Sequence, residues 1–232
     1  MNQPAQQPVP QPARQPTPQP ADPALLASVQ QQVDELLSKY REEILAVSHD
    51  IHDHPEIRFT EAHAAQVLTE ALERHGFAVE RGVAGLATAF RAVARGAGDS
   101  APLAAAGHPR LAVFCEYDAL EGIGHGCGHN IIASAGLGAA LIVGDWLAAH
   151  PELPGELVVL GSPGEEGGGG KVYLVQGGCL QGVDAALMIH PSGENHARST
   201  SLARVALDVS FAGKAAHAAA SPWEGRNVLD AA

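Results

Sequence analysis

The chain has 232 residues, 46% of them apolar and 17% charged, which supports a sizeable buried core in one or two domains and excludes a wholly disordered or fibrous polypeptide. Against 14 Lys and Arg stand 26 Asp and Glu, a formal charge of −12 that repels phosphate backbones and anionic lipid, so neither a nucleic-acid nor a membrane partner is expected. The three cysteines, Cys115, Cys127 and Cys179, cannot all pair with one another and no charged-then-apolar leader opens the chain, so the expected setting is reducing and cytoplasmic.

Residues 1–23 are dominated by Pro and Gln, lack apolar periodicity, and are predicted to be a disordered tail. From Ala24, the residues Leu26, Val29, Val33, Leu36, Tyr40, Ile44 and Val47 recur at intervals of three or four, the stripe of an amphipathic helix. A second helix is expected after Thr60 as N-cap, with Glu61 in its first turn, running through Val67, Leu68 and Leu72 to a left-handed stop at Gly76. Strands are predicted over 77–81 and 88–93, followed by a surface loop over 94–109. The short apolar runs 111–115, 157–160 and 185–189 read as strands covered on both faces, separated by segments of helix length. The stretch 131–148, apolar apart from Asp145 and rich in small residues, reads as a buried helix rather than a membrane span. This order predicts an α/β fold with a mostly parallel sheet and a site beyond the carboxyl ends of the strands. Near Ser201 the pattern changes to strict alternation: Val205, Leu207, Val209 and Phe211 oppose Arg204, Asp208 and Ser210, which predicts a half-exposed strand, and Asn227 is positioned to cap a final helix. The switch divides the chain into a first domain over 24–194 and the start of a second over 195–232.

Polar clusters follow directly on the apolar runs: Glu116 and Asp118 after the first, Glu165 and Glu166 after the second, His190 after the third. Carboxylates and an imidazole gathered at one end of a sheet repel one another or stay unsatisfied unless a cation or a shared proton sits among them, a need that a divalent metal meets. The run HGCGHN at 125–130 adds Cys127 and His129 in a glycine-hinged turn just before the buried helix. A zinc-like or manganese-like ion takes thiolate, imidazole and carboxylate ligands and lowers the pKa of its water to about 7. Of two adjacent glutamates, one can ligate while the other serves as general base, and two ions sharing a ligand also fit. Cys115 and Cys179 have apolar neighbours and read as core residues. The glycines after Glu166 do not form a phosphate cradle, because two carboxylates lead that loop and Walker spacing is absent. His49, His52, His54, His63, His75, His108, His150 and His196 read as surface or structural residues.

The segments EYDALEGIGHGCGHN, SPGEEGGGGK, ALMIHPS and GKAAHAAASPWEGRN, together with HPEIRFTE at 54–61, resemble the successive signatures of the di-metal amidohydrolase and exopeptidase family that includes aminoacylase, auxin-conjugate hydrolase and p-aminobenzoyl-glutamate hydrolase. The resemblance runs from about Ala24 to the end and is greatest to the p-aminobenzoyl-glutamate hydrolase and dipeptidase-like branch. It implies a pair of divalent ions, Zn2+ or Mn2+, held by Cys127, His129, Glu166 and His190. Glu165 is then the catalytic base for a metal-activated water, and Asp118 orients a neighbouring ligand. His217 corresponds to a lid-domain histidine that reaches the partner's site in family dimers and polarises the scissile carbonyl, and Asn227 follows in the same motif. The implied architecture is a catalytic α/β domain interrupted by an α+β lid domain that mediates homodimers, and the implied substrates are small amides: N-acyl amino acids, dipeptides or aminobenzoyl-glutamate. Two departures stand out. The family's last ligand, a histidine near its C-terminus, lies beyond the end of this sequence, and many relatives carry Asp at the position of Asn130 and Pro at that of Glu121. Two other readings of the same residues are a non-catalytic metal-binding or dimerisation module and a hydrolase with Cys127 as nucleophile.

Overall fold

The computed structural model describes residues 22–95, 108–152, 155–197, 207 and 209–230. The chain divides into two compact units, Met1–Pro191 and Ser192–Ala232. The predicted tail lies almost wholly outside the described residues. Its last residues are ordered, because Asp22 caps the first helix by accepting from the Ala24 amide at 2.9 Å and Pro23 occupies the first helical position, where a missing N–H costs nothing.

In the first unit, α1 (Pro23–Asp53) runs well past the predicted stripe and buries Tyr40, Val47, Ser48 and Ile51. The turn into α2 (Ala62–Arg74) differs from the expectation at Thr60, whose hydroxyl donates to the Ile57 carbonyl instead of capping the helix. The orphan amides of α2 are taken from a distance: the two oxygens of Glu56 each accept at 3.0 Å, from His63 and Ala64. Gly76, at φ +80, turns the chain out of α2 as expected.

Five strands form one sheet in the order β1-β2-β4-β3-β5, namely β1 (Ala78–Arg81), β2 (Phe90–Arg95), β3 (Arg110–Glu116), β4 (Glu156–Ser162) and β5 (Ala185–Leu187). β3 lies parallel to both β4 and β5, whereas β1 and β2 form an antiparallel pair joined antiparallel to β4. The fold is therefore α/β, with the parallel strands at the chemistry-bearing side and a hairpin completing the other edge. The second predicted strand is displaced by two residues, and most of the predicted loop over 94–109 lies outside the described residues. The third apolar run departs most from expectation: β5 stops at Leu187 and is exposed throughout, and among the described residues it pairs only with β3, at the edge of the sheet.

Alternation along the strands sorts the core into two layers. Val113, Cys115, Leu157 and Val159 face α1, α2 and the long helix α3 (His129–Ala149), while Ala112, Phe114, Val158 and Leu160 pack with Leu174 of α5 (Gly170–Gln176) on the opposite face. α3 is long and apolar enough to cross a membrane, yet Leu137, Ala140 and Leu141 lie in this core, and its single acid, Asp145, accepts from Tyr40 Oη at 2.6 Å and pairs with Lys39. Asn130 donates to the Ser48 carbonyl at 3.3 Å and to its hydroxyl at 3.2 Å, tying α3 to α1 through a donor that an aspartate lacks.

In the second unit, Lys214 and Arg226 form an antiparallel bridge, and a single helical turn spans Pro222–Glu224. The strand predicted near Ser201 falls mostly outside the described residues, and the described Leu207, Val209, Ser210 and Phe211 are not in a strand. Asn227 accepts from the Leu229 amide at 3.2 Å, the start of a turn rather than of a helix among the described residues.

α3 approaches β3 closely at Gly136, where a Cβ would stand 2.6 Å from Cys115 Sγ and 2.9 Å from the Phe114 carbonyl oxygen. Backbone cannot yield there as a side chain would, so Gly136→Ala is expected to destabilise the protein by about 1–3 kcal/mol, read as a lowered urea midpoint at unchanged slope.

Candidate metal centre

The two central parallel strands deliver their acids to one rim. In their register Glu116 stands beside Ser162, so the chain leaving β3 carries Tyr117 and Asp118 while that leaving β4 carries Pro163, Gly164, Glu165 and Glu166 to the same end of the sheet. The glutamates form an irregular turn, α4 (Glu165–Gly168), in which Glu166 departs from helical geometry and the following Gly167 has φ +79. HGCGHN closes the rim from the third side and hands His129 to the first position of α3.

His129 is the focus of the cluster. Its surface is 1% exposed and its Nδ1 lies 3.0 Å from Asp118 Oδ1, so Nδ1 carries the proton and the lone pair belongs to Nε2. Among the described residues that Nε2 has no hydrogen-bond partner, and it faces three carboxylates, with Glu116 Oε2 at 3.7 Å, Glu165 Oε2 at 3.8 Å and Glu166 Oε1 at 3.9 Å. Two sets of potential ligands share it: Glu116, His129 and His190 on one side, His129, Glu165 and Glu166 on the other. The rings of His129 and His190 meet edge to face at 6.3 Å, and His190 Nδ1 donates to the Pro191 carbonyl at 2.8 Å, leaving its Nε2 available.

Electrostatics show how unbalanced the cluster is. Burial pushes the Asp118 carboxyl up, but the hydrogen bonds from His129 and from the Glu166 amide, at 2.8 Å, outweigh it and hold Asp118 below its ordinary value. Burial likewise lowers His129, and the Asp118 bond together with the charges of Asp118, Glu165 and Glu166 more than reverses this, raising it overall. The Cys127 thiol hydrogen-bonds to Glu166 and, with partial burial and the surrounding carboxylates, is pushed up to about 11. A divalent cation inverts that preference, because a coordinated thiol is deprotonated outright.

The structure thus brings Asp118, Cys127, His129, Glu165, Glu166 and His190 together at one rim, whereas His217 belongs to the second unit. There His217 Nδ1 accepts from the Ala219 and Ala220 amides at 3.2 and 3.1 Å, which places the ring proton on Nε2. Cys115 is buried in one core layer, and Cys179 is partly buried against the other. Two participants were not picked out as site residues from the sequence. Glu116, read only as part of a cluster, points its buried carboxylate at His129. The Lys171 ammonium, which closes the glycine run, pairs with Glu116 and is drawn down to about 8 by burial. The alternating core pattern of β3 contains the signal for Glu116, since a charge at its last inward position has to be answered; nothing local marks Lys171.

The chain is 43% identical over 203 residues to Xaa-Arg dipeptidase of Homo sapiens, covering 85% of this chain and 47% of that protein. It is 36% identical over 224 residues to one of the p-aminobenzoyl-glutamate hydrolase subunits of Escherichia coli, covering 89% of this chain and 44% of that one. The chain spans about half the length of these relatives. The fold is shared with a dinuclear metal-binding peptidase of the M20 family from Bacillus subtilis, at a TM-score of 0.55 and 24% identity over 64% of this chain and 42% of that one. An aminobenzoyl-glutamate utilization protein from Klebsiella pneumoniae gives 0.54 and 23%, over 67% of this chain and 45% of that one. Residues 95–224, more than half of the chain, match the sequence model of one family, and the chain accordingly belongs to peptidase family M20/M25/M40.

Proposed function

We propose that this chain carries the metal centre of a hydrolase that cleaves a C–N amide bond in a dipeptide, an N-acyl amino acid or an aminobenzoyl-glutamate-like substrate. The observation that supports this reading is the buried Nε2 of His129, unpartnered and facing three carboxylate oxygens at 3.7–3.9 Å, an arrangement that calls for a cation. The residues present fit a pair of divalent ions, Zn2+ or Mn2+: Cys127, His129, Glu166 and His190 would hold them. When bound, such ions supply a Lewis acid for the carbonyl oxygen and lower the pKa of the attacking water.

The protein's own groups divide the remaining work. Of the adjacent glutamates, Glu166 has its side chain 19% exposed and suits ligation, while Glu165, at 40%, is open to the substrate and suits proton transfer. Glu165 takes a proton from the attacking water and returns it to the leaving amine. Asp118 fixes the tautomer and the orientation of His129. In a cytoplasmic homodimer paired through the second unit, His217, with its proton on Nε2, would serve as a donor for the oxyanion developing in the partner protomer's site. The names of the relatives, a Xaa-Arg dipeptidase and a p-aminobenzoyl-glutamate hydrolase, favour a substrate with a free carboxylate beside the scissile amide. A thiol nucleophile is disfavoured, because the sulfur of Cys127 would be engaged as a ligand of the proposed ions.

Metal analysis combined with dipeptide and aminobenzoyl-glutamate hydrolysis tests the reading. Glu165→Gln is expected to retain bound metal and to lose about 10²–10⁴-fold in turnover, and wild-type turnover in this variant removes the role assigned to Glu165. Asp118→Asn is expected to weaken metal binding by about 10–100-fold, measured by competition with a chromophoric chelator. Because imidazole and thiol ligands bind only after losing their protons, metal content after equilibrium dialysis should fall as the pH is lowered and return when it is raised.

A further inference from the structure

Glu61 is a carboxylate with 0% of its surface exposed and no place in the proton transfers above. Its partners include three neutral donors: Oε1 accepts from the Phe59 amide at 2.7 Å and from the Gly164 amide at 2.8 Å, and Oε2 accepts from the Thr88 hydroxyl at 2.9 Å. Gly164 is the residue immediately before Glu165 and Glu166, so the carboxylate holds the start of the turn that carries both. Phe59 gives a second, independent observation. It has φ +63, a left-handed conformation that a bulky residue rarely adopts without being held there, and the amide of this same residue is the one bound by Glu61. The Phe59 ring lies flush against the glycines of the turn: a Cβ on Gly164 would come within 2.7 Å of it and one on Gly168 within 2.5 Å. From the other side, Asp118 holds the Glu166 amide.

We infer that Glu61 and Phe59 are positioning residues for the centre, seating the Pro163–Gly168 turn so that Glu165 and Glu166 both face His129. They act through the turn and touch no reacting group. A buried carboxylate suits this task because it can accept from two backbone amides and a hydroxyl at once, and the strained Phe59 backbone lets one ring cover both glycines. The inference rests on the reading of Glu166 as a metal ligand.

Cobalt titration of the full chain tests it, since a thiolate ligand on Co2+ gives a near-ultraviolet charge-transfer band that reports Cys127. Wild type, Cys127→Ser, Glu61→Gln, Glu61→Ala and Phe59→Ala are compared at a temperature where circular dichroism shows them folded. Glu61→Ala and Phe59→Ala are expected to bind Co2+ about 10–100-fold more weakly. Glu61→Gln, whose amide oxygen still accepts from Phe59 and Gly164, should stay within about threefold of wild type. A merely structural role would lower the melting temperature of Glu61→Ala and leave the Co2+ affinity of the folded protein unchanged. That result overturns the inference, as does wild-type affinity in Phe59→Ala should Glu61→Ala fail to fold. If wild type shows no thiolate band and Cys127→Ser matches it, the metal-centre reading itself falls and this inference with it; a band in wild type with unaltered variants defeats the inference alone.

Discussion

The structure turns on an excess of negative charge at one rim of the sheet. Asp118, Glu116, Glu165 and Glu166 converge on a single buried imidazole, and only the Lys171 ammonium is seen to offset them among the described residues. The carboxylates repel one another in a medium less polar than water, and the Cys127 thiol is raised by its hydrogen bond to Glu166, by burial and by the charges of Glu166, Glu165 and Asp118. Such a cluster is sustainable where a multivalent cation completes it. Asp118 gives the arrangement a direction: by engaging Nδ1 of His129 and the amide of Glu166 it aims one lone pair and one carboxylate at the same point.

The fold makes this convergence possible by simple means. Parallel strands end at the same rim, so residues more than forty positions apart become neighbours once β3 and β4 are in register. α3 then has to run close beneath them, which Gly136 permits, and its first residue is His129. The α1–α2 connection does more than link helices. Glu56 caps α2 from outside and its carbonyl accepts from the Ala119 amide at 2.7 Å, next to Asp118, while Glu61 reaches across to Gly164. Two glutamates of one short segment therefore brace the two loops that bear the acids of the centre.

Much of this was legible from the residues alone. Periodicities of three to four placed α1 and α2, apolar runs placed β3 and β4, and the acids immediately after those runs marked the rim, because hydrophobic burial and the strand repeat are local, one-dimensional signals. Cys127, His129, Glu165, Glu166 and His190 were nameable for the same reason: each lies within a few residues of a strand or helix end. Local chemistry failed where a partner distant in the chain wins. Thr60 has the residue type of an N-cap, yet Glu56 reaches the α2 amides and Thr60 turns to Ile57. The run ending at Ile189 is apolar enough for a buried strand, but burial depends on what flanks β5, and it lies at the edge.

The sequence by itself determined the alternation of strands and helices, the acidic character and the chemical identity of the candidate ligands, since composition and short-range pattern carry these. Only the tertiary structure decided that Glu116 faces His129 and pairs with Lys171, that Glu61 is buried beneath the glutamate turn, and that His129 presents Nε2 rather than Nδ1. Those facts depend on which distant groups share a small volume once the strands are in register, and hydrogen-bond partners as far apart in the chain as Glu61 and Gly164 leave no trace in a local pattern.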